Sequence, residues 1–109
     1  MKISNVVPYL MSFALPKPLR LPFWGGERII FKREAMLIKV TTDTGITGWA
    51  PGPAHERAAQ EIRDVIRPFL LGQDPARWSE IEFKADLETL KTYRAVELGL
   101  ARVSLHGEG

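Results

Sequence analysis

An α+β fold is predicted by three features of this 109-residue chain. Apolar residues alternate with polar ones at period two as far as about Ala50. Beyond that point they recur every three or four residues, and the two patterns do not interleave. Strands followed by helices, rather than strands alternating with helices, predict a three-stranded antiparallel meander with a three-helix bundle packed on one face.

The elements follow in order. Ile3, Val7, Tyr9, Met11 and Phe13 occupy odd positions, with Lys2, Ser4 and Ser12 on even ones, which predicts a strand over about 2–14. Asn5 and Pro8 interrupt it, and Pro8, which has no N–H to donate, suits an edge or a bulge. From Leu15 to about Arg28 the alternation stops. Pro16, Pro18 and Pro22 with Gly25-Gly26 read as a long loop carrying Phe23 and Trp24 at its tip. Ile29 to Asp43 returns to strand, Met36, Ile38 and Val40 facing one way and Leu37, Lys39 and Thr41 the other. Asp43-Thr44-Gly45 is a tight turn in which Gly45 takes positive φ, and Ile46 to Ala50 pairs back.

Gly52-Pro53 opens a helix over about 53–70, with Ala58, Ile62, Val65, Ile66 and Phe69 as its apolar stripe and Gly72 as its stop. Asp74-Pro75 starts a second helix by capping and a first-turn proline, with Trp78, Ile81 and Ala85 on its buried face. Thr92 caps a third, which buries Val96, Leu100 and Val103. Gly99 weakens it by about 1 kcal/mol relative to alanine.

Composition narrows the function. At 45% hydrophobic the chain can bury a core, but it is too short for an eight-stranded α/β barrel, which takes roughly 200 residues. Fifteen basic and thirteen acidic residues give a net charge of only +2. Lys17, Arg20 and Arg28 are too sparse for a nucleic-acid surface. With no cysteine, disulfides and thiolate metal sites are excluded, which fits a cytoplasmic protein. The N-terminus has no signal-peptide pattern, and no run approaches the roughly 20 apolar residues of a membrane span.

Three segments share a further likeness: Lys39-Val40-Thr41-Thr42-Asp43-Thr44-Gly45-Ile46-Thr47-Gly48-Trp49, Pro68-Phe69-Leu70-Leu71-Gly72-Gln73-Asp74-Pro75 and Ala95-Val96-Glu97-Leu98-Gly99-Leu100. In order and spacing they resemble the hairpin, helix-to-helix corner and barrel-bound helix of the N-terminal capping domain of the mandelate racemase and muconate-lactonizing branch of the enolase superfamily. The likeness covers residues 1–100. It departs from the family pattern where Ala50-Pro51 replaces the Gly and Glu that often follow, and over residues 101–109, an atypical tail that reads as truncated or non-native.

The resemblance implies a lid. Members abstract a proton α to a carboxylate, and the doubly charged enediolate requires Mg²⁺ and a positioned base. In the family these groups stand on barrel strands, so no catalytic or metal residue is expected here and the chain alone is expected to be silent. Its implied partners are a C-terminal barrel and, in the intact enzyme, a carboxylate or acid-sugar substrate acted on by a lyase or isomerase. Substrate contacts implied by the lid loops fall on Arg20, Phe23, Trp24 and His55. Against these stand simpler readings: Phe23 and Trp24 as a small satellite cluster, Arg20 and Arg28 as solvated loop cations, His55 as an exposed polar residue. His106 falls in the tail and reads as inert. Trp49 and Trp78 read as core, and the acidic residues of 56–88, interspersed with Arg57, Arg63, Arg67 and Lys84, as solvated helix faces. From another class comes a self-associating α+β interaction module, because a sheet-and-helix layer without a barrel exposes a docking face.

Overall fold

The structure is a computed structural model. It describes the backbone of residues 1–23 and 26–108 and the side chains of 1–14, 16–17 and 33–105. Strands β1 (Ile3–Phe23), β2 (Gly26–Thr42) and β3 (Thr47–Gly52) form an antiparallel sheet of order β1-β2-β3. Helix α1 (Glu56–Glu61) runs through a π turn (Ile62–Ile66) into α2 (Arg67–Leu70). A 3₁₀ turn (Pro75–Glu80) and an extended segment lead to α3 (Leu87–Glu108). The α+β meander with its helices on one face is therefore as the sequence predicts.

The β2–β3 hairpin follows from its residues. Gly45 has φ +86°, and Gly45 N donates to Thr42 O at 3.1 Å. Thr42 Oγ1 also accepts from Ile46 N at 3.1 Å, fixing the register in which Lys39 faces Trp49 and Ile38 faces Ala50. Met36, Ile38 and Val40 point inward and are buried, as the alternation requires.

The first strand departs from expectation in phase. Ile3 pairs with Thr42 but Asn5 pairs with Thr41, so Ser4 is an extra residue in a bulge. The bulge brings Val6 to the same face as Ile3. Ile3, Val6 and Pro8 are buried, and the odd row of Tyr9, Met11 and Phe13 lies on the outer face of the sheet. The long loop is also corrected. Leu19 to Phe23 pairs with Ile30 to Gly26, making a two-stranded ribbon, and the register jumps between Ala14 and Leu19. Pro16 and Pro18 fall in that jump, where no ladder donor is needed. Pro8 and Pro22 lie on an edge strand, which tolerates them.

The helical half holds further corrections. The first helix begins at Glu56 with His55 as its cap, rather than at Pro53. Pro68 cannot donate to the carbonyl of residue 64 and its ring crowds that carbonyl; the π turn just before it opens the ladder where the proline needs room. The extra residue in that turn moves the buried stripe to Ala58, Ala59, Ile62, Ile66 and Leu70, leaving Val65 and Phe69 exposed. The second helix is only the 3₁₀ turn, with Asp74 Oδ1 accepting from Ala76 N at 2.9 Å. Trp78 and Ile81 pack partly buried against the core, but Ala85 is exposed. Asp86 caps α3, its Oδ1 accepting from Thr89 N at 2.8 Å, and Thr92 lies buried inside the helix. Here Thr92 Oγ1 donates to Glu61 Oε2 at 3.0 Å and links α3 to α1. Val96, Leu100 and Val103 are buried as expected. Helix α3 passes position 100 unbroken, with Ser104 also buried.

The closest approach of helix to sheet occurs at two glycines. A Cβ on Gly48 would come within 2.6 Å of Val103 Cγ2 and 2.8 Å of Gly99 O, and one on Gly99 would meet Val40 Cγ2 at 3.0 Å. The glycine that weakens α3 as an isolated helix is what allows the helix to lie directly on β2 and β3.

Candidate functional site

Two features meet at one end of the sheet. Strand β3 ends at Gly52, opposite Met36 of β2, while β2 extends ten residues further, from Ala35 back to Gly26, paired with β1 alone. The ribbon therefore rises from the end of the sheet at which the β3–α1 corner, Pro53 to His55, also lies. This is the geometry of a flap with a second loop at its base.

The sequence-predicted site residues fall on these two features. Arg20 pairs through its backbone with Ile29, and Phe23 with Gly26 at the ribbon end; their side chains lie outside the described residues, as does Trp24 entirely. Arg28 and His106 have side chains outside the described residues too. His55 is at the base. Its Nδ1 accepts from Ala58 N at 3.1 Å as the N-cap of α1, with an extended backbone at φ −149°. One ring nitrogen is thus committed to the fold, and Nε2 is the atom available to a ligand. Sequence reasoning placed His55 on a loop and missed the cap, because histidine is not among the preferred capping residues.

A surface groove of about 520 Å³ lies alongside, lined by Tyr9, Met11, Leu37 and Trp49 with Glu56 and Arg63. Arg63 donates to Glu56 at 2.9 Å, so the charged groups of its wall satisfy each other. Trp49 is 43% exposed here, against the expectation that it is core. Among the described residues no three His, Cys, Asp or Glu side chains converge as a metal cage. The charged residues of the helices instead form exposed pairs, Arg57–Glu61 at 3.1 Å and Arg77–Glu80 at 2.9 Å among them. Hydrogen bonding from Thr89 holds the Asp86 carboxyl below the usual carboxylate range, and burial, with Glu97 nearby, pushes the Tyr93 hydroxyl up to about 12. Neither group lies on the flap or at its base. No helix among the described residues is long and apolar enough to cross a membrane.

No family model matches the chain. Over 48 residues it is 38% identical to D-galactonate dehydratase of Verminephrobacter eiseniae, a stretch that is 42% of this chain and 13% of that protein. Over 72 residues it is 28% identical to L-Ala-D/L-Glu epimerase of Bacillus subtilis, covering 59% of this chain and 20% of that one. Among solved structures, a mandelate racemase-type protein of Bordetella bronchiseptica RB50, complexed with 2-oxoglutarate/phosphate, superposes with a TM-score of 0.79 at 25% identity over 98% of this chain and 30% of its own. A mandelate racemase/muconate lactonizing enzyme-type protein of Roseovarius nubinhibens ISM, complexed with magnesium, superposes at 0.69 with 24% identity over 100% of this chain and 32% of its own. The chain has the fold of the N-terminal domain of mandelate racemase-type proteins of the enolase superfamily, and it spans less than a third of each of the two solved chains it superposes on.

Proposed function

We propose that this chain is the substrate-capping part of a Mg²⁺-dependent dehydratase, racemase or cycloisomerase acting on a carboxylate or acid sugar, and that by itself it is catalytically silent. The observation that carries this reading is the ribbon that extends past β3 from the end of the sheet holding the Pro53–His55 corner. Such a flap excludes water over an active site and strengthens the electrostatics beneath it. The acid–base and metal chemistry belongs to a barrel, and the lid sets which acid is admitted through residues 15–28 and 50–55.

Two measurements test this. Incubated in D₂O with Mg²⁺ and a panel of hydroxy and sugar acids, the 109-residue chain is expected to exchange no α-proton; exchange catalysed by it alone would refute the silent lid. Grafting residues 15–28 and 50–55 onto the Bordetella protein is expected to change the ranking of kcat/KM among acids, because lid contacts act on specificity. An unchanged ranking would sink the specificity role.

A further inference from the structure

Between the 3₁₀ turn and α3 the chain crosses the helical half as an extended strap, residues 81–85. Among the described residues no backbone N–H or C=O of the strap is hydrogen-bonded to protein, so these groups are left to water. Its side chains alternate: Ile81 and Phe83 are half-buried, while Glu82, Lys84 and Ala85 are exposed. Phe83 stacks on Tyr93 of α3 with ring centroids 4.4 Å and planes 15° apart, and Phe69 leans on the pair at 5.1 and 6.4 Å. Grooves of about 430 and 580 Å³ adjoin the strap, and Ile81 and Glu82 line both, so the strap is the wall between them. Tyr93 lines the larger groove with Arg94 and Glu97, yet it is 2% exposed and its hydroxyl has no partner among the described residues.

We propose that residues 81–85 form a latch that opens and closes on an otherwise folded domain, with Phe83 as its fastening and the Tyr93 hydroxyl as the group that favours opening. Two opposing effects set the balance. Closing covers the facing sides of two aromatic rings and part of Ile81, which favours the closed state. Closing also keeps the Tyr93 hydroxyl from water with no hydrogen bond in exchange, a cost that opening removes. No ladder hydrogen bond breaks when the strap lifts, so the apolar contacts of Ile81 and Phe83 alone oppose the entropy the chain regains. The elements on either side stay capped, the 3₁₀ turn by Asp74 and α3 by Asp86, so the strap lifts between two fixed points. Lifted, it joins the two grooves into one trough that holds Phe69, Tyr93 and Arg94.

Native-state proteolysis of the 109-residue chain tests the latch, because Lys84 places a trypsin site inside the strap. Mass spectrometry follows initial cleavage at two bonds: Lys84–Ala85, and Arg102–Val103, where Val103 is buried in the core. Cleavage reports the population of the opened form when opening and closing are fast. The Lys84–Ala85 bond is expected to be cut faster and to respond less steeply to urea, since opening the strap exposes little surface. Phe83→Ala is expected to speed that cut about tenfold or more, by removing the ring that fastens the strap. Tyr93→Phe is expected to slow it about fivefold, because opening no longer hydrates a hydroxyl. A variant that merely loosened the fold would not slow the cut. Circular dichroism checks folding, and Phe83→Leu takes the place of Phe83→Ala if the latter is unfolded. The same rate and urea dependence at both bonds would overturn the proposal, because the strap would then open only with the whole domain. So would a cut at Lys84 that is indifferent to the residue 83 change, or one that Tyr93→Phe fails to slow.

Discussion

Two single residues carry tests of their own. His55 holds the first turn of α1 through Nδ1, and one of the helix's otherwise unpaired N–H groups depends on it. His55→Ala is expected to cost about 1 kcal/mol in denaturant unfolding, and His55→Asn to restore it, since asparagine caps without an imidazole. If the asparagine variant grafted into an intact enzyme kept its stability but lost substrate affinity, Nε2 would be the contact. Tyr93 is the opposite case. It is 2% exposed, stacked at 4.4 Å on Phe83, and its hydroxyl has no partner among the described residues. Tyr93→Phe is therefore expected to be neutral or to stabilise by up to about 1 kcal/mol, because it removes a buried unsatisfied group. The folded state raises this hydroxyl to about 12. The neutral form is thus favoured by folding, and its contribution is complete below the unfolded value near 10 and declines as pH rises from there toward 12. Chemical denaturation between pH 9 and 12 is expected to show the decline in the parent and less of it in Tyr93→Phe. Tyr9 is common to both proteins, so the difference between them reports Tyr93.

At the scale of elements, the contact between α3 and the sheet is the most sensitive to side-chain size. Gly48→Ala drives a methyl into Val103 and the Gly99 carbonyl, neither of which can swing aside as the end of a long flexible side chain would. A loss of about 2–3 kcal/mol is expected, the upper range for overpacking. At Gly99→Ala the one tight contact is with Val40 Cγ2, at 3.0 Å, and Ala50 Cβ at 3.8 Å is ordinary packing. There the gain in helix propensity, about 1 kcal/mol, offsets most of the crowding, and near-neutral stability is expected. Equal losses at the two positions would refute this account of the interface. Sequence made the meander legible at this scale, because Gly45 and the row Met36, Ile38, Val40 follow local rules. It missed the phase of β1, because a one-residue bulge at Ser4 reverses inside and outside and leaves no mark in the alternation beyond it. It also read the proline-rich stretch as a loop, since prolines on an edge strand and in a register jump resemble prolines in a coil.

One core joins the sheet to α1, the π turn and α3, and α3 contributes to it as far as Val103 and Ser104. Removing residues 101–109 takes away Val103, which packs on Gly48, and Ser104. Loss of a buried aliphatic side chain costs about 2 kcal/mol or more, so a 1–100 chain is expected to unfold at a clearly lower denaturant midpoint. An unchanged midpoint would make residues 101–109 an appendage, separate from the domain as the sequence pattern alone suggests. The candidate site was legible only by resemblance and in outline. The ribbon and the Pro53–His55 corner occupy the segments read from sequence as lid loops; the His55 cap is a local contact hidden by histidine's poor capping preference, whereas the exposure of Trp49 depends on which face of the sheet the helices cover.

By itself the sequence determined the class of fold, the sheet hairpin and the Asp74 cap before Pro75, because turn geometry, capping and hydrophobic period act over a few residues. Only the tertiary structure decided which face of β1 is core, why two glycines must stand between α3 and the sheet, and that a ribbon rather than a loop rises beside the Pro53–His55 corner. Those outcomes turn on pairing register and on how closely a helix approaches a strand, and neither is set by any one segment alone.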